Sequence, residues 1–351
     1  MRILTLRNTF LMPEPRTLVY GNRALGILKR FLESPLVASV ESWLLPGSVC
    51  FSVPFLFLDL GKRVYFYDIG HQAIEDIEIQ LEACPNTGVL LVNYYGQAWP
   101  KELVARLRPH TPCLIMDACL SVPDFSDSEI ANTADLVLFS TGQGKVLSIG
   151  QGAFGLLPLA KAQTLEMKPL LETQRAAASK VYYQLDNYWK GVVKGTHSFN
   201  YQLFESIEIW VDTGVDCDIT LYQAIVSEKL PAILAHKATL NQLYRQELPS
   251  PWQVSFASDI WRYHLLVDKP AVLLEALFGA GLFASNHYAN AQAYLSPQSP
   301  NLPYSNQVAA HIVNLFNDPA YTEAQALQTC QVIKKLFDTG QIQPIELNIT
   351  L

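Results

Sequence analysis

The chain has 351 residues, half of them apolar and 16% charged, which is enough for one large domain and one smaller domain. Its formal net charge of −7 argues against nucleic-acid binding, because phosphate contacts need a basic surface. The longest apolar run, around 49–60, is interrupted by polar residues and proline and is too short to span a bilayer. The six cysteines form no CxxC pair or Cys/His cluster, and the N-terminal segment lacks the apolar stretch of a signal peptide. We therefore expect reduced cysteines, no metal site, no membrane association and a cytoplasmic protein.

The first structural signal is the sequence YGNRALGILKRFLE (20–33), in which a glycine turn precedes apolar residues at helical spacing. Backbone N–H groups at the start of a helix have no partner within the helix and attract anions. Gly21, Asn22 and Arg23 are therefore candidate phosphate ligands. Any turn that precedes a helix shows the same pattern, so a purely structural role is the alternative.

From residue 63 onward, short β-branched or aromatic runs alternate with helical stretches. The predicted strands are RVYFYDI (63–69), VLLVNYY (89–95), PCLIMDA (112–118), ADLVLFS (134–140) and GAFGLLPL (152–159), and the predicted helices are AIEDIEIQLEAC (73–84) and PKELVARLRPH (100–110). This alternation is typical of βαβ units, whose parallel sheet is covered by helices on both faces. The first half of the chain is therefore predicted to have an α/β fold.

Two residues in this region could carry chemistry. Asp117 ends a predicted strand, and doubly wound sheets bind ligands at the carboxyl ends of their strands. Lys145 lies in the Gly-rich turn TGQGKVLSIGQ (141–151), where partial burial would favour the neutral amine that forms a Schiff base. Taken alone, either residue could be an ordinary loop lysine or a loop-ordering aspartate. Together they supply the two polar groups that pyridoxal 5′-phosphate (PLP) chemistry most needs.

Two other motifs in the same turn are weaker. Gly144-Lys145 suggests a P-loop, but Phe139 stands where the first glycine belongs and Val146 where Ser or Thr belongs. Residues 150–155 satisfy GxGxxG, but a dinucleotide site needs a helix after the motif, and the sequence that follows is predicted to be a strand. We therefore expect neither an ATP nor an NAD site.

Beyond about residue 160 the sequence is rich in helical patterns. Long helical stretches are predicted near 220–246, 270–281 and 305–338, with one strand at WRYHLLV (261–267). We place a domain boundary near residue 215, so that 1–214 and 215–351 form the two domains. The segment 170–215, rich in Tyr, Trp and Gln, has no clear assignment.

In their order along residues 18–157, these motifs resemble the DegT/DnrJ/StrS family of PLP-dependent sugar aminotransferases. YGNRALGILKRFL resembles the family's phosphate turn, IMDAC its pyridine-pairing aspartate, and FSTGQGKVLSIGQGAFG its phosphate serine, Schiff-base lysine and Gly-rich return. The resemblance implies an aspartate-aminotransferase-like fold (PLP fold type I). Its large PLP-binding domain would hold a mostly parallel sheet, beside a smaller C-terminal α+β domain, and the site would lie at a homodimer interface.

The resemblance also assigns roles to single residues. It implies that Lys145 is the Schiff-base lysine and proton shuttle, Asp117 the pyridine-nitrogen partner, Cys119 a ring-face contact, Ser140 a phosphate ligand, and Gly21, Asn22 and Arg23 the phosphate turn. His287 and Tyr288 lie in a segment, SNHYANAQAYL (285–295), that resembles one near the family's substrate entrance.

Three positions depart from the family pattern. Cys50 stands where the family places an aromatic ring over the cofactor, and Leu120 where it places Gln or His. Asn200-Tyr201-Gln202 is a poor match to an asparagine that the neighbouring subunit contributes in the family.

The implied activity is transfer of an amino group from an amino-acid donor to a carbonyl acceptor, of which a nucleotide-linked keto-sugar is one example. The departures leave two alternatives open. One is a degenerate PLP-binding homologue with a regulatory or structural role, and the other is a PLP lyase or epimerase on the same fold.

Overall fold

The computed structural model describes residues 16–347, except 71–72, 127–132, 163–164, 166–169, 208, 217, 250–253, 255–258 and 297–300. Cys217 and residues 1–15, which were predicted to lack the apolar stretch of a signal peptide, lie outside the described residues.

Strands and helices alternate through the first half of the described chain. The strands are β1 Arg16–Gly21, β2 Ser42–Pro46, β3 Arg63–Tyr67, β4 Thr87–Val92, β5 Leu114–Asp117, β6 Leu136–Ser140, β7 Ala153–Pro158, β8 Tyr263–Leu266, β9 Ala284–Ser285 and β10 Ile312–Leu315. The helices are α1 Ala24–Glu33, α2 Ser52–Asp59, α3 Ala73–Ala83, α4 Lys101–Leu107, α5 Leu159–Ala162, α6 Glu172–Val193, α7 Ile219–Glu247, α8 Pro270–Gly279, α9 Gln292–Leu295, α10 Pro303–His311 and α11 Glu323–Asp338.

The larger sheet has seven strands in the order β1-β7-β6-β5-β4-β2-β3. Strands β2 to β6 run parallel to one another, whereas β7 pairs antiparallel with both β6 and β1. The predicted α/β fold with a mostly parallel sheet is therefore confirmed. The sequence after the GxGxxG motif forms β7, as predicted.

Both faces of this sheet are buried, because consecutive residues of a strand point to opposite sides. Leu90 contributes to the core that lies under α1, α2 and α6, whereas the next residue, Leu91, contributes to the core under α3 and α4. The inner strands are therefore apolar throughout, and polar side chains are found where the strands end.

The second half of the described chain contains a three-stranded antiparallel sheet in the order β8-β10-β9, packed against α7, α8 and α11. The predicted strand in 261–267 and the helices near 220–246 and 270–281 are confirmed by β8, α7 and α8. The prediction of one helical stretch over 305–338 is wrong. The run Ile312-Val313-Asn314-Leu315 is strand β10, because it pairs on both sides with β8 and β9 and this tertiary pairing overrides the local helical spacing.

Helix α7 joins the two halves. The Asp218 carboxylate caps its first turn by accepting a hydrogen bond from the backbone N–H of Leu221 at 3.1 Å. Tyr222, near its start, packs into the core of the large sheet, whereas Tyr244, near its end, packs into the core of the small sheet. The domain boundary near residue 215 stays a prediction. It falls shortly before this shared helix, which begins at Ile219. No helix within the described ranges has the length and apolar character needed to cross a membrane.

Candidate functional site

The carboxyl ends of β4, β5 and β6 meet at one edge of the sheet. Asp117 is level with Val92 of β4 and Leu138 of β6. Its backbone carbonyl accepts a hydrogen bond from the Asn93 N–H at 2.9 Å, and its half-buried side chain begins the loop that follows β5. Parallel pairing therefore places the Asp117 carboxylate at the sheet edge where α/β proteins bind ligands.

Lys145 lies in the loop that connects β6 to β7. Gly144, Gly150 and Gly152 of this loop have φ angles of 73°, 88° and 90°, which glycine adopts without a steric penalty. These glycines allow the loop to fold back on itself, so that the Ile149 N–H donates to the Thr141 carbonyl at 3.0 Å. The Lys145 side chain is half-buried and has no ion-pair partner among the described residues.

The Cys119 thiol is buried beside Asp117. The backbone N–H of Cys119 donates to Asp117 Oδ1 at 2.9 Å. Burial raises the pKa of Cys119 well above its ordinary value, the Asp117 carboxylate raises this pKa further, and the Lys145 ammonium acts in the opposite direction. Asp117 ends β5, and Lys145 lies in the loop that follows the neighbouring parallel strand β6, so both residues lie at the same edge of the sheet.

A cradle for an anion lies next to this pair. A Cβ built on Gly142 would lie 3.4 Å from Ser140 Oγ and 3.9 Å from Nη1 of Arg23, so the space above Gly142 lies between a hydroxyl and a guanidinium. Arg23 is exposed, is the N-cap of α1, and has no ion-pair partner in the part of the chain that the structure describes. A guanidinium, a hydroxyl and a helix start are all groups to which phosphate commonly binds in proteins.

Asn22 makes several hydrogen bonds within the protein. Its backbone N–H donates to the Gly214 carbonyl at 2.9 Å, and its Nδ2 donates to Asp212 Oδ2 at 3.0 Å. Its Oδ1 accepts from the Asp216 N–H at 3.0 Å. These bonds anchor the turn that precedes α1, and a phosphate role for Asn22 stays a prediction. Gly21, the last residue of β1, pairs with Ala153 and is buried.

Cys50 is half-buried, with its Sγ atom 3.2 Å from Ser52 Oγ. Next to it is Tyr182 of α6, whose pKa is raised by burial and by Cys50, whereas Arg23 acts in the opposite direction. No sequence motif indicated Tyr182, because it lies in the segment 170–215, which had no clear assignment. The spacing of the apolar residues in this segment could have indicated an amphipathic helix, whose buried residues are Ala178, Leu185, Trp189 and Val192.

Leu120 and Asn200 have structural roles. Leu120 is buried in a cluster with Tyr95 and Trp261, which explains an apolar residue at this position. Asn200 Oδ1 accepts from the backbone N–H of Gln202 at 3.0 Å and so caps its own short 3₁₀ turn.

Four aromatic side chains form a wall beside the Lys145 loop, and of these the sequence motifs indicated only His287 and Tyr288 as residues near the site. The Trp261 ring lies nearly parallel to the rings of Tyr95, Tyr288 and His287, at centroid distances of 6.1, 6.4 and 6.0 Å. Its indole Nε1–H donates to the Gly144 carbonyl at 2.6 Å. A residue just before β8 therefore holds the loop that carries Lys145.

His287 is exposed at this wall. Although the ring is exposed, partial desolvation by the protein atoms around it lowers the pKa of His287; the Asn286 carbonyl opposes this effect, and the positive charges of Arg262 and Lys145 lower the pKa further. The ring Nδ1 lies 3.0 Å from the Asn286 carbonyl, so the neutral form with a proton on Nδ1 presents Nε2 as the acceptor.

We expect the His287 ring to titrate below about 6.5, the ordinary histidine value. Replacing Lys145 with Met should raise this pKa, because the variant removes a nearby positive charge. The titration of the His287 ring in the wild-type protein and in the Lys145→Met variant can be followed by NMR, with the ring signal assigned through a His287→Gln variant. A midpoint at or above the ordinary value, or one that Lys145→Met leaves unchanged, would contradict this arrangement.

Comparison with solved structures identifies the fold. The chain is similar to a DegT DnrJ EryC1 StrS aminotransferase from Brucella abortus, with a TM-score of 0.64, 16% identity, and coverage of 91% of this chain and 85% of that one. The sugar aminotransferase CalS13 from Micromonospora echinospora gives a TM-score of 0.64, 16% identity, and coverage of 91% and 87%. DesV from S. venezuelae, solved in complex with a ketimine intermediate, gives a TM-score of 0.62 and 14% identity, and the match covers 91% of this chain and 84% of that one.

The comparisons by sequence found no match. No family model matches the chain, and no curated protein matches it. At identities of 12–16% the structural likeness establishes the fold, which is the predicted aspartate-aminotransferase-like α/β fold of PLP fold type I. The activity of the chain therefore has to be inferred from the residues of its own site.

Proposed function

We propose that this chain, folded like the DegT-type aminotransferases, is a PLP-dependent aminotransferase. The observation that carries the proposal is the position of Asp117 and Lys145 after the adjacent parallel strands β5 and β6, at the carboxyl edge of the sheet. Neither charged side chain has an ion-pair partner within the described residues, so both are available to a ligand. A carboxylate and an amine at one sheet edge match the two reactive ends of the PLP ring.

The remaining residues fit the rest of the cofactor. Ser140 Oγ and the Arg23 guanidinium flank the space above Gly142, where a phosphate group would receive a hydrogen bond and a positive charge. Cys119 would contact one face of the ring, and Cys50 would lie at the other. Asn22 and Gly21 would hold the turn from which Arg23 extends.

The proposed chemistry assigns separate tasks to the two charged residues. Bound PLP supplies an electrophilic aldehyde and an electron-withdrawing ring. The Lys145 amine would hold the cofactor covalently, with loss of water, and, once the amino donor has replaced it there, would carry protons at the reacting carbon. The Asp117 carboxylate would keep the pyridine nitrogen protonated and so preserve the electron-withdrawing character of the ring.

The proposed substrates are an amino-acid donor and a carbonyl acceptor, for which a nucleotide-linked keto-sugar is the first candidate. One of the similar structures, CalS13, supports this choice by its description as a sugar aminotransferase.

We further propose a cytoplasmic homodimer. Five of the cysteines are described and all five are unpaired, as in a reducing compartment. Ile209 is exposed and lines a groove of about 620 Å³ along α6, and Leu171 and Tyr183, at the start of and within this helix, are exposed as well, which makes this a surface suited to a second copy.

A donor screen tests the activity without knowledge of the acceptor. Purified protein with added PLP should develop a visible absorption band, and one amino donor should convert it to the band of the pyridoxamine form. Glutamate and glutamine are the first donors to try, because the family that the sequence resembles mostly uses them. The missing aromatic at position 50 removes a contact worth about 0.5–1.5 kcal/mol, so the assay needs excess cofactor. If the visible band forms and no donor converts it, transamination is ruled out in favour of a lyase, an epimerase or a non-catalytic homologue.

A further inference from the structure

The peptide unit between Gly144 and Lys145 is held at both ends. Its carbonyl, from Gly144, accepts the Trp261 indole N–H at 2.6 Å. Its N–H, from Lys145, donates to the Gly142 carbonyl at 3.3 Å. Because a peptide unit is planar and rigid, these two bonds together set the plane from which the Lys145 side chain starts.

Gly144 makes this peptide unit easy to rotate. Its φ of 73° is one of several conformations open to glycine, and a Cβ built on it would meet no atom within 4 Å. Its own N–H donates to Ser148 Oγ at 3.2 Å, a bond to an exposed serine. Without the Trp261 bond, packing at Gly144 would not prevent the peptide unit from turning and carrying Lys145 with it.

Trp261 is itself tightly fixed. Its side chain is buried beside the nearly parallel rings of Tyr95 and Tyr288, which also lie beside each other. Its backbone carbonyl accepts a hydrogen bond from Lys237 Nζ at 3.0 Å. The indole N–H therefore has one direction available, which is toward the Lys145 loop.

The support behind Trp261 is a buried polar cluster. Lys237 of α7 also donates to Asn317 Oδ1 at 2.8 Å and to Asp318 Oδ1 at 3.1 Å. Asp318 in turn pairs with Arg262, the residue after Trp261. Burial lowers the pKa of Lys237 to about 8, although Asp318 opposes this effect. Lys237 uses its three donors on three separate acceptors, so the cluster holds the Trp261 backbone carbonyl in place.

We propose that Trp261 is a positioning residue for Lys145, acting through the Gly144 carbonyl. The direction of the Lys145 amine then depends on the Lys237, Asn317 and Asp318 cluster at the base of the small sheet. This inference rests on the proposed function for its catalytic meaning, but the geometry it describes does not require the cofactor.

Trp261→Phe tests the proposal, because it keeps an aromatic ring and removes the N–H. The matched control is Trp210→Phe. Trp210 is equally buried, and its Nε1 donates to Asp59 Oδ2 at 2.9 Å in the core under α1 and α2. Should Trp261→Phe fail to fold, benzothienylalanine at position 261 retains the shape of the indole and replaces only the N–H group.

Two readouts separate positioning from packing. The first is labelling of Lys145 by trinitrobenzenesulfonate in cofactor-free protein at a series of pH values, quantified by mass spectrometry. The second is the rate at which Lys145 captures added PLP, trapped with borohydride. We expect the rate of Lys145 labelling in the position 261 variant to differ from that of the wild-type protein by about twofold or more. Capture should slow by roughly two- to tenfold, the range for loss of one neutral hydrogen bond. The control should leave both readouts unchanged.

The outcomes are distinguishable from a failure of the proposed function. An altered labelling rate in a protein whose Lys145 never captures PLP would support the positioning role and remove the cofactor assignment. Labelling and capture equal to wild type in the position 261 variant, or changed as much in the Trp210 control, would overturn the positioning role.

Discussion

Replacing Lys145 with Met is expected to abolish covalent capture of PLP and to lower any aminotransferase turnover by at least about 10³-fold, the scale on which removal of a central catalytic group acts. The methionine side chain has a similar length and no amine, so the half-buried site should remain packed. Borohydride reduction of the wild-type protein with PLP, followed by peptide mapping, should find the pyridoxyl group on Lys145.

A lysine beside the same loop provides the control. Lys229 of α7 lines a surface cavity together with Gln143, two residues before Lys145. Lys229→Met should leave capture intact, because this side chain lies outside the Asp117 and Cys119 cleft. Modification of any lysine other than Lys145 in the wild-type protein would refute the assignment.

Replacing Asp117 with Asn is expected to retain the fold while lowering turnover by about 10²–10³-fold, which corresponds to about 2.7–4 kcal/mol of transition-state stabilisation. The amide oxygen of Asn can still accept the Cys119 N–H that Asp117 Oδ1 now accepts at 2.9 Å, so the loop after β5 should keep its shape. The neutral amide cannot keep the pyridine nitrogen protonated. PLP capture by Lys145 should persist, and the rate of the amino-donor half-reaction should fall.

Asp124→Asn is the matched control for this variant. Asp124 lies in the same connection after β5, is exposed, and accepts the backbone N–H of Ser126 at 2.8 Å. Its replacement should change neither capture nor half-reaction rate. An Asp117→Asn protein that keeps its thermal stability and reacts with the donor as fast as wild type would disprove the proposed role of Asp117.

Local patterns were enough to predict most of the large sheet. The runs that form β4 and β5 are apolar at successive positions, and only strands buried on both faces need this composition. Such strands end at one edge, and therefore Asp117 could be placed at a ligand-binding edge before any coordinates were known. The same reasoning failed for 305–338, where a four-residue strand between two helices is specified by its partners β8 and β9 rather than by its own spacing.

The sequence by itself determined the alternation of strands and helices, the Gly-rich return around Lys145 and the position of Asp117, because each depends on residues close together in the chain. Only the tertiary structure decided which distant groups complete the cleft. Tyr182 meets Cys50 because α6 packs over α2. Trp261 reaches Gly144 across 117 positions because the aromatic wall joins the two halves of the molecule. Contacts of this kind depend on how whole elements pack, and neighbouring residues in the sequence carry no signal for them.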